Sequence, residues 1–203
     1  MLYINYHISV GGTKLMFIRN KSESLLNIQR LGLNFFPERV FNPNDKKLKF
    51  RIQCFVEENN AELYVLRDYQ KCQGNAFFNI CKNAIFRYAK KYSSCFSVAV
   101  SSKNYGRHVL IGDIYISKTL DTFMFFASDN PNYSTRDVLK NPKWNFCTDY
   151  YDNRIKHIPN INKIIDYVFK YNLFDVIVEF AVYPHKVGKN NEYVVIFELR
   201  TEY

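Results

Sequence analysis

The sequence predicts an α+β fold in which antiparallel sheet dominates and a few helices accompany it. Three observations predict it. Most apolar runs are strand-sized, rich in β-branched and aromatic residues and separated by polar turns. Helical spacing is confined to a few segments, and the chain closes with two strands joined by a turn. Because 47% of the 203 residues are apolar, the chain can bury a core. We expect residues 1–203 to form a single domain, or two small lobes that share a cleft.

The first third of the chain is predicted to hold one helix and several strands. An apolar stripe at helical spacing predicts a helix over Ser22–Leu31, and Gly32 suits the left-handed position that ends a helix. Asn42 to Asp45 predicts a turn. Strands are predicted over Leu2–Val10, from Arg39, over Phe50–Val56 and over Glu62–Arg67.

The middle of the chain alternates short helices with strands. Asn83–Tyr92 is predicted to be a short helix, since Lys90 and Lys91 carry the charge that suits a helix C-terminus. Ser134 marks a second helix start, and apolar spacing predicts a helix over Ile161–Tyr171. Strands are predicted over Phe96–Val100, Val109–Ile116 and Thr122–Ala127, after an apolar segment at Ala76–Ile80.

The last two strands are predicted to pair and to bring two carboxylates together. The pattern of Phe174–Tyr183 and Tyr193–Leu199 predicts an antiparallel hairpin whose turn contains Gly188. Glu179 and Glu198 each interrupt an otherwise apolar strand, and a turn centred on Gly188 places them opposite one another. Two adjacent carboxylates repel unless a cation lies between them. We weigh two candidates for that cation, a Mg²⁺ ion and Arg200, which shares a face with Glu198.

Three further residues could contact phosphate. Arg67 ends an apolar strand before a polar loop with Gly74, where a guanidinium and loop amides could hold phosphate oxygens. Lys21 precedes the first helix, where it could supply a point charge. The alternatives are an ordinary strand end at Arg67 and a plain capped helix start at Lys21.

Together these segments resemble the ATP-grasp nucleotide-binding domain of the pyruvate phosphate dikinase and phosphoenolpyruvate synthase family. Asn20-Lys21-Ser22-Glu23-Ser24-Leu25 runs into Leu31-Gly32-Leu33 and Pro37 as a lysine segment of that family runs into a Leu-Gly-Leu-Pro segment. Val65-Leu66-Arg67 followed by Gly74 resembles its arginine strand end and phosphate loop. Val178-Glu179-Phe180 and Phe197-Glu198-Leu199-Arg200 follow in the family's order, with Glu198 in place of a glutamine.

The resemblance implies a two-lobed, Mg-dependent nucleotide-binding protein that could transfer a phosphoryl group. ATP and Mg²⁺ would be its cofactors. Lys21, Arg67 and Gly74 would contact the nucleotide, Glu179 and Glu198 would hold the metal, and Arg200 would act in catalysis. The chain lacks the family's leading glycines around the lysine, where Ile18, Arg19, Asn20 and Ser22 stand.

Charge supports a second class of function, a basic nucleic-acid-binding module. The formal net charge is +9 at pH 7, which favours a polyanionic partner. Aromatic residues interleave with basic ones in three segments, in which rings could stack on bases. These segments are Lys90-Lys91-Tyr92, Lys103-Asn104-Tyr105-Gly106-Arg107-His108 and Lys143-Trp144-Asn145-Phe146. A third alternative is a non-enzymatic interaction or inhibitor protein with a protein partner.

The sequence favours a cytoplasmic protein that does not contact membranes. The N-terminal segment has no signal-peptide pattern, and no apolar stretch approaches the length of a spanning helix. Five cysteines without a paired spacing, and four scattered histidines, predict reduced thiols and no zinc site.

Overall fold

The computed structural model describes residues 8–10, 13–15, 18, 20–69 and 75–201. The chain divides into two compact units. Residues 1–35 and 107–203 form the discontinuous unit, and residues 36–106 form the inserted unit. Both hold antiparallel sheet and helices, so the predicted α+β class is confirmed. The predicted cleft between two lobes stays a prediction.

The discontinuous unit is built on a five-stranded antiparallel sheet. Its order is β11-β10-β7-β8-β9, and a separate two-stranded ladder joins β1 to β2. Its strands are β1 (Ile8–Val10), β2 (Thr13–Leu15), β7 (Leu110–Ile116), β8 (Phe123–Ser128), β9 (Trp144–Thr148), β10 (Ile177–Val187) and β11 (Glu192–Arg200). Its helices are α1 (Lys21–Arg30), α4 (Thr135–Lys140) and α5 (Ile161–Lys170), with a 3₁₀ turn at Ile155–His157. Residues 2–7 of the predicted first strand lie outside the described residues.

One face of this sheet forms the hydrophobic core of the discontinuous unit. Alternate residues of β10, Val178, Phe180 and Val182, are fully buried in it. The apolar face of α5, with Ile161 and Ile164, belongs to the same cluster. The intervening positions of β10, including Glu179, therefore point to the opposite face.

The inserted unit holds a four-stranded antiparallel sheet in the order β3-β6-β4-β5. Its strands are β3 (Glu38–Phe41), β4 (Leu63–Asp68), β5 (Ala76–Cys81) and β6 (Phe96–Val100). Its helices are α2 (Leu48–Asn59) and α3 (Ile85–Ala89), with 3₁₀ turns at Lys82–Ala84 and Ser102–Tyr105. Every residue of β6 is buried. A separate apolar cluster that includes Phe96 and Val98 forms its core.

The prediction of a strand over Phe50–Val56 is wrong, because this segment lies inside α2. Its apolar residues alternate loosely, which is typical of a strand. The buried residues are nevertheless Ile52 and Phe55, one helical turn apart, and Asn60 ends the helix in a left-handed conformation. Strand β9 was not predicted at all. None of the helices that the structure describes is long and apolar enough to cross a bilayer.

Candidate functional site

The candidate site is a row of three carboxylates that crosses neighbouring strands. Glu179 on β10 pairs in register with Glu198 on β11, which confirms the predicted pairing. On its other side Glu179 pairs with Asp113 on β7. The register between β10 and β11 shifts next to Glu179, because the following residue, Phe180, pairs with Ile196 and not with Phe197. This irregularity leaves Phe197 as an extra residue, and Glu198 and Arg200 then follow at the two-residue spacing of one face.

Arg200 is fixed by the carboxylate at the far side of the row. Its Nη2 donates to Asp113 Oδ2 at 2.6 Å. The side chain of Asp113 is only 7% exposed, whereas that of Arg200 is 32% exposed. Burial raises the pKa of Asp113 to about 6, with Glu179 adding to the rise and Arg200 opposing it. Arg200 therefore neutralises the most buried carboxylate, and it is not a symmetrical bridge between Glu179 and Glu198.

Lys21 belongs to the same site through the packing of α1 on β11. Asn20 caps α1 by accepting from the Glu23 amide at 3.0 Å. Ser24, one turn later, is buried, and its Oγ accepts from the Leu199 amide at 2.7 Å. This contact sets the first turn of α1 beside the end of β11, where Lys21 Nζ lies 3.7 Å from Glu198 Oε2. The pair is long and Lys21 is nearly half exposed, so it adds little to stability.

Arg67 and Gly74 belong to the inserted unit. Arg67 binds Glu38 through two contacts, Nε to Oε1 at 3.1 Å and Nη2 to Oε2 at 2.6 Å. The Glu38 side chain is 9% exposed, so the guanidinium neutralises a buried carboxylate there. The phosphate-binding role of Arg67 stays a prediction beside this structural role. Gly74 lies outside the described residues.

Sequence reasoning missed Asp113. The same signal that singled out Glu179 and Glu198 was present, since Asp113 also interrupts an apolar strand, between Gly112 and Ile114. What sequence could not supply was the strand order. Strand β7 lies beside β10 although some sixty residues separate them along the chain, and only the sheet pairing brings Asp113 next to Glu179.

The carboxylates of the row fit a magnesium ion that binds together with phosphate oxygens. Mg²⁺ is usually held by one or two carboxylates, with the remaining positions filled by phosphate and water. Glu179 and Glu198 provide such a pair, in which Glu198 is also paired with Lys21, while Asp113 is engaged by Arg200. Across the described ranges, no group of three or more His, Cys, Asp or Glu side chains is arranged to hold a metal. A metal at the Glu179–Glu198 pair would therefore need further oxygen ligands from a bound molecule or from water.

The aromatic residues singled out for base stacking take part in packing. Tyr92 is 6% exposed and stacks on Phe96, and Tyr105 stacks on Phe36 at 4.8 Å between ring centroids. Trp144 is partly buried against the core of the discontinuous unit. Tyr92 is therefore not free to receive a base, whereas Tyr105 and Trp144 keep part of their surface exposed.

Comparisons with known proteins find similarity in fold alone. No family model matches the chain, and no curated protein sequence matches it. A D-alanyl-alanine synthetase A from Vibrio cholerae matches with a TM-score of 0.50 and 13% identity, over 90% of this chain and 54% of that one. The ADP complex of purK, an N5-carboxyaminoimidazole ribonucleotide synthetase, matches with a TM-score of 0.50 and 12% identity, over 91% of this chain and 45% of that one.

A third match is an N5-carboxyaminoimidazole synthase from Aspergillus clavatus in complex with ADP and 5-aminoimidazole ribonucleotide. Its TM-score is 0.51 and its identity 10%, over 91% of this chain and 44% of that one. The chain thus spans about half the length of these enzymes. All three are ATP-grasp enzymes, and the chain has an ATP-grasp-like fold.

Proposed function

We propose that this protein binds a magnesium nucleoside triphosphate, with ATP as the nucleotide, at the carboxylate row of the discontinuous unit. The observation that carries the proposal is the in-register pair Glu179–Glu198, flanked by Lys21 and Arg200, on a sheet of an ATP-grasp-like fold. Two of the solved structures that share the fold contain ADP.

Coordination supports a metal that binds together with its nucleotide. Among the described residues of the row, Lys21 pairs with Glu198 and Arg200 pairs with Asp113. A divalent ion bound there alone would lack ligands, because the Glu179–Glu198 pair supplies only part of its coordination. Phosphate oxygens complete that coordination and bring the charge that Lys21 and Arg200 can neutralise.

The two cations have different roles in this proposal. Lys21 is exposed and only loosely paired, so it can turn towards a phosphate at little cost. Arg200 is held by Asp113, and its Nε is buried with no hydrogen-bond partner among the described residues. Buried donors are rarely left unsatisfied, and Arg200 would have to shift its side chain for an anionic ligand oxygen to satisfy this one.

The reaction that such a site supports is phosphoryl transfer, in which catalysis is positioning and charge neutralisation. The metal, when bound, would neutralise charge on the phosphate oxygens. Glu179 and Glu198 would orient it, and Arg200 would steady the transferring group. The order of Lys21, Glu179, Glu198 and Arg200 along the chain supports a short, divergent relative of the pyruvate phosphate dikinase and phosphoenolpyruvate synthase family.

A calorimetric titration of ATP, with and without Mg²⁺, tests the proposal. Glu179→Gln should weaken binding of Mg-ATP by about tenfold or more, because it removes half of the paired negative charge that attracts the metal. Asp166→Asn neutralises an exposed carboxylate on α5 and is the matched control, expected to bind as the wild type does. Equal Mg-ATP affinity in wild type and Glu179→Gln would refute the assigned site.

A further inference from the structure

The inserted unit carries most of the positive charge of the chain. Twelve of its residues are Lys or Arg and six are Asp or Glu, so it holds +6 of the formal net charge of +9. A net charge concentrated on one small unit produces a local field that attracts polyanions.

The excess cations gather around α3, where they lie over aromatic rings. Lys49 Nζ and Lys90 Nζ lie 5.9 Å and 5.0 Å from the centroid of the Phe86 ring. Lys91 Nζ lies 4.9 Å from the Phe77 ring and 4.8 Å from the Tyr88 ring. These six residues form what we call the α3 basic surface. Beside it, Arg87 adds a fourth positive group, 5.3 Å from the Tyr88 ring.

The surface is exposed, and the described acidic residues of the unit bond to other groups. Lys49, Arg87, Lys90 and Lys91 are all exposed, while the three rings are half-buried. Across the described part of the chain, none of these four cations forms a salt bridge. The acidic residues of the unit bond elsewhere: Glu38 to Arg67, Asp45 to Arg51, Glu57 to Gln53, Glu58 to Arg39, Glu62 to Lys82 and Asp68 to Ser94.

We propose that the α3 basic surface binds single-stranded nucleic acid. The positive charge favours a polyanionic partner. The rings between the lysines favour a polyanion with flat bases that can stack on them. The ammonium groups that cover the rings in the free protein are on flexible, exposed stems, so they can move aside to meet phosphates. Tyr88 and Phe77, whose centroids lie 4.9 Å apart, would form the stacking platform.

This proposal differs from the sequence-based expectation in which residues take part. That expectation named three segments, one of which was Lys90-Lys91-Tyr92, but Tyr92 is buried and stacks on Phe96. The rings that lie beside the lysines are Phe77, Phe86 and Tyr88, which helix α3 and strand β5 bring together. The surface belongs to the inserted unit and does not depend on the nucleotide site proposed above.

Fluorescence anisotropy with a labelled oligo(U) of about 15 nucleotides tests the proposal, since that length spans one single-stranded site. The double variant Lys90→Glu/Lys91→Glu should weaken binding by about tenfold or more, and the slope of log affinity against log salt should shrink by about 0.7 for each lost phosphate contact. Tyr88→Ala should weaken binding and leave that slope unchanged, because it removes stacking and no charge.

The control is Lys163→Glu/Lys186→Glu, which makes the same charge change at two lysines that lie over the Tyr193 ring in the other unit. It should bind within about twofold of the wild type if the α3 basic surface is the site. Equal losses in both double variants would show a non-specific charge effect and overturn the proposal. Tighter binding to vesicles of anionic lipid than to oligo(U) would overturn it too. Melting curves of each variant verify that it is folded.

Discussion

At the scale of single residues, the buried Asp113 of the carboxylate row makes the stability of the folded protein depend on pH. Its side chain is almost inaccessible, and burial raises its pKa to about 6. An unfolded Asp ionises near pH 3.8, so the folded state holds this proton over a window in which the unfolded state has lost it. The contribution of Asp113 to stability is therefore fully present below about pH 4 and is lost as the pH rises to about 6.

Asp113→Asn should remove that pH dependence. Because two pKa units correspond to about 3 kcal/mol, the stability of the wild type relative to Asp113→Asn should fall by up to about 3 kcal/mol between pH 4 and pH 7. Urea denaturation of both proteins at several pH values measures the difference. A difference that is constant with pH would mean that Asp113 ionises normally in the folded protein.

Arg67 offers a second residue-scale prediction, because its two possible roles differ in their effect on stability. Since it neutralises the buried Glu38, Arg67→Ala should lower the free energy of unfolding by about 3 kcal/mol. Arg39→Ala is the control, since its pair with Glu58 is exposed and contributes less than about 1 kcal/mol. If Arg67→Ala unfolds as the wild type does and instead weakens nucleotide binding, the phosphate-binding role is the correct one.

At the scale of elements, the contact between β7 and β8 depends on a glycine next to the carboxylate row. A Cβ at Gly112 would collide with the carbonyl oxygen of Phe126 and lie 2.7 Å from the Cα of Ala127. Both are backbone atoms of β8 and cannot move without separating the strands. Gly112→Ala should therefore cost about 3 kcal/mol or more.

Gly32→Ala is the comparison for that prediction. Gly32 has φ of +64°, and a methyl group added there would meet no atom within 4 Å, so only backbone strain opposes the substitution. That strain costs roughly 1 kcal/mol. Thermal melts of both variants should therefore show a larger loss for Gly112→Ala, and equal losses would contradict the close strand approach.

The elements that could be predicted were those whose periodicity is determined locally. The hairpin of β10 and β11 and helix α5 were predicted from β-branched runs and from a clear apolar stripe. Helix α2 was not, because the alternation of Phe50, Ile52 and Cys54 mimics a strand, while burial follows a helical period. The pairing of β7 with β10 was also beyond prediction, since tertiary structure and not local pattern selects the partner of a central strand.

At the scale of the whole molecule, the two units differ in charge and in the chemistry that we propose for them. The discontinuous unit presents a row of carboxylates with two cations, and the inserted unit holds two-thirds of the net positive charge. The order of short motifs predicted an ATP-grasp-like fold, which the solved structures support. The roles of Lys21, Glu179, Glu198 and Arg200 remain proposals, because a shared fold does not transfer a site.

The melting temperature with Mg²⁺ alone, ATP alone and both together tests the central claim, that the carboxylate pair binds a metal–nucleotide complex. At a hundredfold excess over its dissociation constant, a ligand adds about 2.7 kcal/mol, which raises the melting temperature of a protein of this size by about 5–10 °C. We predict a shift of that size with both ligands and a much smaller one with either alone. A combined shift no larger than the sum of the separate ones would contradict the claim.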